Sequence, residues 1–524
     1  MAAADATAAR ATPWWRLLTR YHWYVLILAA CGWLFDCFDQ QIFTMSRSIT
    51  MRDLLPQADP ATQLTLGNWA TSIFIVGWAT GGLIFGTIGD KWGRAKTMAA
   101  TILVYALCTG LSGFARSWGS FTLFRFLTGA GVGGEFAVGA ALLAEVMPEG
   151  ARAHALGTLQ ALSAIGNILA AISLGVVVPG DKLGWGWRGL YYLGAAPAFI
   201  AVFIFARLKE PDRWVVAKAA AVRAQTTARM GRIRDLFTDP RWRRHTLVGL
   251  ALAIAGQIGL WGVGFYTPEL IDAAIPAVET AARPKFTAIL DADSPATRTA
   301  ALQALSEAER RKFANLLLRL TRTREDRPVA EVIATPLTPV LREQCRDLLR
   351  HAVPEDRKTN LKMWGGILLQ LGALLGISCF TILATRWGRR GSFFLALLLA
   401  WASLVLAFGT FHQPWQIWYL WPLLGFCIFA PFGGYAIYFP ELFPTRLRTT
   451  GTSFCYNVGR YVTAFGVSLL GPLAALLQNA TRLPGFRLAA VILASSYFVG
   501  LVALLWAPET RGQPLPEDEL GLGH

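Results

Sequence analysis

Long apolar stretches alternate with short polar segments along most of the chain. About twelve of them are long enough to cross a hydrocarbon layer of about 30 Å as a helix, at 1.5 Å per residue. They lie near residues 23–45, 65–89, 97–115, 120–143, 154–178, 188–207, 246–268, 363–384, 391–411, 417–438, 452–477 and 486–507. Gly and Pro occur within them, and spanning helices tolerate these residues because neighbouring helices satisfy the freed backbone groups. The pattern predicts an all-α membrane protein with twelve transmembrane helices, a helical bundle and not a barrel.

Two sequence signatures occur twice in the chain. GTIGDKWGRAK at residues 86–96 returns as TILATRWGRRG at residues 381–391. A second signature at residues 145–152, with Glu first, Pro fourth and Arg last, returns at residues 441–448. Both repeats are displaced by roughly 295 residues, which indicates an internal duplication. Duplicated membrane halves are typical of transporters that bind substrate between the halves, near the bilayer midplane.

The duplication predicts three parts. Residues 1–207 form one six-helix bundle, residues 208–245 form a linker, and residues 246–524 form the second, pseudo-symmetric bundle. The linker is rich in Ala and Arg. We expect it to be cytoplasmic, partly helical and amphipathic against lipid headgroups, with covalent connection as its main task.

A long polar insert at residues 269–361 separates the predicted seventh and eighth helices. Ser306 and Glu309 have capping-box spacing. Apolar residues then recur at helical spacing in two runs, at Phe313, Leu316, Leu317 and Leu320, and at Leu341, Cys345, Leu348 and Leu349. These patterns predict a small helical insert on the extracytoplasmic face. It is either a lid or docking surface, or an insertion that the fold tolerates because surface insertions cost little stability.

Composition and charge agree with a membrane protein. The chain is 54% hydrophobic and 16% charged over 524 residues, which is too apolar for a soluble domain. The net charge of +16 suggests a nucleic-acid partner at first sight, but Lys and Arg concentrate in alternate loops, as expected on the cytoplasmic side. We therefore expect no nucleic-acid partner and both termini in the cytoplasm. The first apolar segment lacks a small-residue cleavage site, so we expect this span to be retained and not cleaved.

The sequence offers no pattern for catalysis or metal binding. The seven cysteines lack paired spacing and no histidine lies in the middle of a span. No nucleophile, metal cluster or cofactor loop is recognisable, so we expect no enzyme activity, no cofactor and no metal. We expect a monomer in the bilayer.

Charged residues within or beside the apolar stretches are the strongest functional candidates. An ionised side chain at the bilayer centre costs about 2.5–3.5 kcal/mol, so such residues serve a purpose there. Those within the spans are candidates for a proton or substrate site, with helix-pairing charges as the alternative: Asp36, Asp39, Arg125, Glu135 and Arg460. Those at the span ends are candidates for a gate, with topology-setting charges as the alternative: Asp90, Arg94, Lys96, Glu145, Arg152, Arg389, Glu441 and Arg448. Because Thr385 replaces Asp90 in the second repeat, the two gate networks are expected to be unequal.

The repeated loop signature resembles that of the major facilitator superfamily, between the second and third spans. Residues 125–135, RFLTGAGVGGE, resemble the fourth span of its sugar-porter and metabolite–proton symporter branches. Residues 209–214 and 508–512 resemble the motifs that end the two halves. DCFD at residues 36–39 and FCYNVGR at residues 454–460 are most similar to branches that carry aromatic acids, sialic acid or other carboxylates. The glycines of residues 129–134 lie in an apolar span, so close helix packing explains them better than a nucleotide-binding loop.

The resemblance implies a secondary transporter of the bacterial inner membrane that works by alternating access. Gln160 and Asn167 stand where the sugar porters bind sugar through amides, but Ala255 and Gly256 replace the expected glutamine pair, and Ala436 replaces a tryptophan. These departures favour a small organic anion over a neutral hexose. The candidate substrate residues are Gln160, Asn167, Gln257, Trp261, Tyr456, Asn457 and Arg460.

Proton coupling is also expected from the resemblance. It places Asp39 opposite Arg125, where protonation of the acid would release the arginine to engage substrate or Glu135. Asp36, on nearly the same helical face, is the alternative proton carrier. A sugar or polyol symporter, an uncoupled facilitator and a membrane sensor with the same fold remain as alternatives.

Overall fold

The computed structural model describes residues 13–58, 60–177, 185–196, 208–223, 230–275, 278, 282–292, 294–321, 329–334, 337–353, 355–477 and 485–517. Helices dominate these ranges, and no β-strand occurs within them. The all-α prediction is therefore confirmed for the part of the chain that is described.

Helices of the first half follow the predicted spans closely. After a short 3-10 turn at Trp14–Leu17 come α1 (Arg20–Leu54), α2 (Pro60–Trp92), α3 (Arg94–Gly113), α4 (Trp118–Val146), α5 (Glu149–Val177) and α6 (Trp187–Leu193). Most of the predicted sixth span, residues 197–207, lies outside the described residues. The linker contributes α7 (Asp212–Arg223) and α8 (Asp235–Thr238).

The second half repeats this order around the insert. Helix α9 (Pro240–Gln257) continues as a π-helix, Ile258–Val263, and a 3-10 turn, Gly264–Tyr266, before α10 (Thr267–Ala274). The insert holds α11 (Ala282–Leu290), α12 (Pro295–Gln303), α13 (Glu307–Thr321), α14 (Val329–Ala334) and α15 (Pro339–His351). The remaining helices are α16 (Glu355–Trp387), α17 (Arg389–Thr410), α18 (Ile417–Leu442), α19 (Arg448–Leu476), α20 (Gly485–Ala494) and α21 (Tyr497–Ala503).

Nine stretches of the described chain are helical, long and apolar enough to cross a membrane. Helices α5 and α19 cover the predicted fifth and eleventh spans in addition. The helices pack at short range because glycine removes the side chain at the crossing points. A Cβ atom on Gly129 or Gly133 of α4 would lie 2.3 or 1.9 Å from a backbone oxygen of α2. The glycines of this span therefore serve close packing, as the sequence predicted.

The insert is built around its own apolar core. Phe313, Leu316 and Leu317 of α13 are buried against Cys345 and Leu349 of α15, as their helical spacing predicted. The side chain of Leu320 lies outside the described set.

The predicted capping box begins α13. The Glu309 N–H donates to Ser306 Oγ at 3.2 Å, and the Ser306 N–H donates to Glu309 at 2.8 Å. The Lys285 ammonium, 2.7 Å from Glu309, adds to this contact and lowers the pKa of Glu309 to about 2. The carboxylate therefore stays charged across the physiological pH range.

The two ends of the insert meet where the Val278 N–H donates to the Val353 carbonyl at 3.0 Å. We therefore expect replacement of residues 279–352 by a short Gly-Ser linker to leave the membrane helices folded, because the linker has almost no distance to span. Thermal unfolding and size-exclusion chromatography of the detergent-solubilised protein test this. An aggregated or strongly destabilised product would show that the insert supports the membrane helices.

Candidate functional site

Four charged residues from both halves form a buried cluster at one end of the bundle, here called the first charge cluster: Asp90, Arg94, Glu145 and Arg448. Arg94 Nη2 lies 3.0 Å from Asp90 Oδ1 and 3.0 Å from Glu145 Oε1. Arg448 Nη1, from the second half, lies 2.6 Å from the same Glu145 oxygen. All four side chains are fully buried. Glu145 thus joins an arginine of its own half to an arginine of the other half.

Asp90 makes a second connection between the halves by capping helix α19. Its carboxylate accepts the backbone N–H of Thr449 at 3.2 Å and of Thr450 at 2.9 Å, and the Thr450 hydroxyl at 2.7 Å. A carboxylate at a helix N-terminus satisfies free N–H groups and interacts favourably with the helix dipole. Arg94 adds a hydrogen bond of 2.6 Å to the Thr445 carbonyl.

Arg389 and Glu441, the corresponding residues of the second repeat, form a second charge cluster with Thr510, and the hydrogen bonds of this cluster stay within the second half. Arg389 binds Glu441 through two hydrogen bonds of 2.8 and 3.1 Å, and the Thr510 hydroxyl donates to Glu441 at 2.6 Å. At the position equivalent to Asp90, the Thr385 hydroxyl donates to Ile382 of its own helix. The two clusters are unequal, in the direction that the exchange of Asp90 for Thr385 predicts.

Two of the predicted gate residues make no ion pair within these clusters among the described residues. Arg152 is buried, lies 4.0 Å from Glu149 on its own helix, and interacts electrostatically with Glu441 of the second half. The Lys96 side chain is exposed. Its backbone N–H donates to Glu210 at 3.2 Å.

Glu210 and Glu509 each cap the start of a helix beside the charged residues of their half, a role that was not predicted from the sequence. Glu210 accepts the N–H of Arg94 at 2.6 Å at the start of α3, and Glu509 accepts the N–H of Arg389 at 2.9 Å at the start of α17. Each helix begins after a glycine with positive φ, +121° at Gly93 and +92° at Gly388. Because both acids end the repeat motifs of their halves, comparing those motifs in the two halves would have identified the pair.

Backbone contacts keep the Glu509 carboxylate charged. Burial raises the pKa of Glu509, but the N–H groups of Arg389, Arg390 and Arg511 more than offset this, so its pKa lies below the usual value.

Asp39 and Arg125 meet inside the first half. Arg125 Nη1 lies 3.3 Å from Asp39 Oδ2, and both side chains are fully buried. Arg125 also donates to the hydroxyls of Ser112 and Thr128 at 3.0 Å each, and its guanidinium lies 5.0 Å from the Tyr191 ring centre. The arginine is therefore held by one acid, two hydroxyls and an aromatic face, which gives it a well-satisfied buried position.

Asp36 and Glu135 form a different kind of pair. Both are about 1% exposed, and they interact electrostatically with each other. None of their four carboxyl oxygens accepts a hydrogen bond from another described residue, although the two carboxyl groups are within hydrogen-bonding reach of each other. Glu135 lies against Gly32, one turn before Asp36, where an added Cβ would be 2.5 Å from Glu135 Oε1. Two charged carboxylates at this depth repel each other, whereas one proton between them supplies a donor.

Arg460 occupies the contact between the two halves. Its guanidinium carbon lies 3.8 Å from the ring centre of Trp78 and 4.5 Å from that of Tyr456. Nη1 donates to the Asn457 side-chain oxygen, whereas Nε is buried without a partner among the described residues. No carboxylate of the described residues lies within 4.0 Å of the Arg460 guanidinium. The arginine is thus buried between two aromatic rings, and its Nε–H donor has no partner among the described residues.

The other predicted substrate residues differ in whether their polar side-chain atoms already have a hydrogen-bond partner. The side-chain oxygens of Gln160 and Gln257 are buried, and within the described ranges they have no hydrogen-bond partner. Asn457 is already engaged, because its amide nitrogen donates to Ser453 at 2.9 Å. Asn167 is half-buried.

Aromatic rings extend this region across both halves. Trp261 lies in the π-helix that follows Gln257, with its ring centre 5.7 Å from that of Trp78. Phe136 stacks on Tyr456 at 4.4 Å. Trp78 and Phe136 could not be predicted as site residues, because in apolar spans they look like ordinary lipid-facing or core residues.

The described side chains contain no group of three His, Cys, Asp or Glu residues that could hold a metal ion. Charge pairs, aromatic rings and amide oxygens that have no partner among the described residues line this region.

Known proteins resemble this chain both in sequence and in fold. The family model described as Major Facilitator Superfamily matches residues 15–290, more than half of the chain. A metabolite transport protein of Haemophilus influenzae is 25% identical over 497 residues, covering 94% of this chain and 98% of the relative. The cis,cis-muconate transport protein of Acinetobacter baylyi is 23% identical over 444 residues, covering 84% of this chain and 85% of the relative.

A solved structure has the same fold over nearly the whole chain. The proton:xylose symporter bound to 6-bromo-6-deoxy-D-glucose aligns with a TM-score of 0.57 and 15% identity, covering 94% of this chain and 98% of that chain.

Proposed function

Because the chain belongs to the Major Facilitator Superfamily, a family of membrane transporters, we propose that it carries a small organic anion across the membrane together with protons. Alternating access between the two halves, residues 1–207 and 246–524, would expose the central residues to one side at a time. The insert at 269–361 would lie on the outer face, and both termini and the linker in the cytoplasm.

Arg460 is the observation that carries the choice of an anion. A buried cation without a carboxylate partner is costly, because no opposite charge offsets the loss of its hydration. A substrate carboxylate would supply the missing partner, and its hydrogen bonds to a guanidinium are charge-assisted. The rings of Trp78, Tyr456 and Phe136 favour a flat, unsaturated acid over an aliphatic one. The name of the cis,cis-muconate relative, which denotes an unsaturated dicarboxylate, supports the same class.

Proton coupling is supported by the pair Asp36 and Glu135. They lack hydrogen-bond donors among the described residues, and Asp36 lies within electrostatic range of Arg460. We infer that a proton on this pair and an anion at Arg460 bind together, because the proton removes the negative charge that would compete with substrate for the arginine.

The state of the gate fits this scheme. The first charge cluster joins the two halves at the end that we assign to the cytoplasm, so the protein is closed on that side. Substrate would enter from the opposite side, and opening requires separation of Glu145 from Arg448.

Uptake into proteoliposomes tests the proposal. With an inward proton gradient, we expect accumulation of radiolabelled unsaturated or aromatic carboxylates and no accumulation of xylose or other neutral sugars. Accumulation of the sugars alone would favour a sugar symporter. Binding without any transport would favour a membrane sensor.

Arg460→Lys is expected to weaken carboxylate binding by roughly 10- to 100-fold, because lysine loses the stacking on Trp78 and the planar donor pair. Isothermal titration calorimetry of the purified protein measures the change. Arg487→Lys is the matched control, since Arg487 is equally buried but donates to the backbone carbonyls of Phe408 and Phe411. Equal affinity in the Arg460 variant and the wild type would assign Arg460 to packing.

A further inference from the structure

The linker contacts both halves of the protein. Trp214 of α7 donates its indole N–H to the backbone carbonyl of Asp90 at 2.8 Å. Met230, 1% exposed, packs with Trp214 and Ala221 in a small core of its own. The linker is thus attached to the first half beside Asp90, a residue of the first charge cluster. Its sequence predicted only that it connects the two halves.

Gly231 fills the space between α2 of the first half and α19 of the second. It adopts a positive φ of +65°, and its N–H donates to the Arg446 carbonyl at 2.9 Å. A Cβ atom at this position would lie 2.7 Å from the Thr87 carbonyl oxygen, 3.2 Å from Asp90 Cβ and 3.3 Å from Thr450 Oγ1. Only glycine fits here without displacing its neighbours, for reasons of both conformation and space.

Arg446 holds the linker a second time through its side chain. Its Nη1 lies 2.5 Å from Asp235 at the start of α8, and both side chains are largely buried. One residue of the second half therefore binds the linker through its backbone carbonyl and through its guanidinium. The same short segment packs on Thr87 and Asp90 of the first half.

We propose that this segment is a moving part of the gate. Trp214, Met230, Gly231 and Asp235, here called the linker strap, hold α2 and α19 together in the closed state. Gly231 has to leave the space between these helices before the substrate site opens at that end. This inference rests on the proposed alternating access, and it adds a regulatory element that neither charge cluster contains. A change in the linker then alters gate opening without altering the substrate site.

Gly231→Ala tests the strap directly. Spin labels on cysteines at the exposed positions Trp92 and Trp387, which end α2 and α16, report separation of the halves by pulsed electron paramagnetic resonance. The seven native cysteines are replaced by alanine, and the protein is held in lipid nanodiscs. We expect the ratio of long to short distances to rise by about two- to tenfold, as loss of one hydrogen bond would produce.

Gly512→Ala is the matched control, because Gly512 has a similar φ of +69° and no atom within 4 Å of an added Cβ. It should leave the distances unchanged. Asp235→Asn serves as a second strap variant that keeps the backbone intact, and it should shift the ratio in the same direction as Gly231→Ala.

Asp90→Asn in the same assay separates the strap from the proposed function. If Asp90→Asn lengthens the distance while both strap variants match wild type, the strap is overturned and the gate stands. If Asp90→Asn also leaves the distance unchanged, the proposed gate itself fails.

Discussion

Asp36→Asn is expected to abolish proton-driven accumulation of substrate while leaving exchange of substrate across the membrane intact. Asparagine resembles a protonated acid, so the site would remain permanently in its proton-loaded form. A gradient of one pH unit supports about tenfold accumulation of a monovalent anion that moves with one proton. We expect this ratio to fall to about one in the variant, with counterflow exchange near the wild-type rate. Proteoliposomes with and without a pH gradient provide both measurements.

Asp39→Asn is the informative comparison. Asp39 pairs with Arg125, which also has two hydroxyl partners. In this variant Arg125 loses its only carboxylate partner within 4.0 Å among the described residues, so we expect lower thermal stability. Glu135→Gln should resemble Asp36→Asn, because the two acids form one pair. Tenfold accumulation that persists in both Asp36→Asn and Glu135→Gln would contradict the coupling scheme and leave an uncoupled facilitator or another coupling ion.

Glu145→Gln is expected to open the closed end of the protein. The change removes the carboxylate shared by Arg94 and Arg448. Arg94 keeps Asp90 as a partner, whereas Arg448 loses its only carboxylate within 4.0 Å among the described residues. Removing one partner of a buried ion pair costs about 3–5 kcal/mol. Inverting a two-state equilibrium from 1:99 to 99:1 takes about 5.5 kcal/mol, and half of that, about 2.7 kcal/mol, brings a closed state populated at 99:1 to equal populations. A loss of about 3–5 kcal/mol should therefore move most of the protein out of the closed state. The spin-label pair at positions 92 and 387 reports this change as a longer mean distance.

Glu441→Gln is its counterpart in the second repeat. Glu441 is buried like Glu145 and also binds an arginine, but its hydrogen-bond partners Arg389 and Thr510 belong to its own half. Arg152 of the first half interacts with Glu441 electrostatically, without an ion pair within 4.0 Å. We therefore expect lower thermal stability with little change in the distance between the labels. Equal lengthening by both variants would mean that the two clusters contribute alike and that the difference between Asp90 and Thr385 has no effect on the gate.

The repeats explain how much of this arrangement could be predicted from sequence. Residues of opposite charge recur at equivalent places in two copies, and packing the copies face to face brings Glu145 to Arg448. The family resemblance placed Asp39 opposite Arg125, and the two lie 3.3 Å apart. The cost of a buried charge is the physical reason for such a pairing. Strong local energetics of this kind leave a clear signal in the sequence.

Other features leave no such signal. Gly231 lies in a polar linker, and its position between α2 and α19 depends on contacts with residues more than a hundred positions away. Lys96 carries the expected charge but points outward, because the helix turns it away from the cluster built by Asp90 and Arg94. The aromatic neighbours of Arg460 could not be told from the many other aromatic residues of the spans. These positions are decided by tertiary packing and not by local pattern.

The capping acids Glu210 and Glu509 have a consequence for biogenesis. Glu210 follows Arg94 by 116 residues, and Glu509 follows Arg389 by 120 residues. In each half, the carboxylate that completes the start of the third helix is therefore synthesised only after the sixth. Proteins made of repeated units commonly fold the first unit during translation. The first half can thus complete its own charged end before the second half leaves the ribosome, whereas the second half completes its end only after its own last helix has been made.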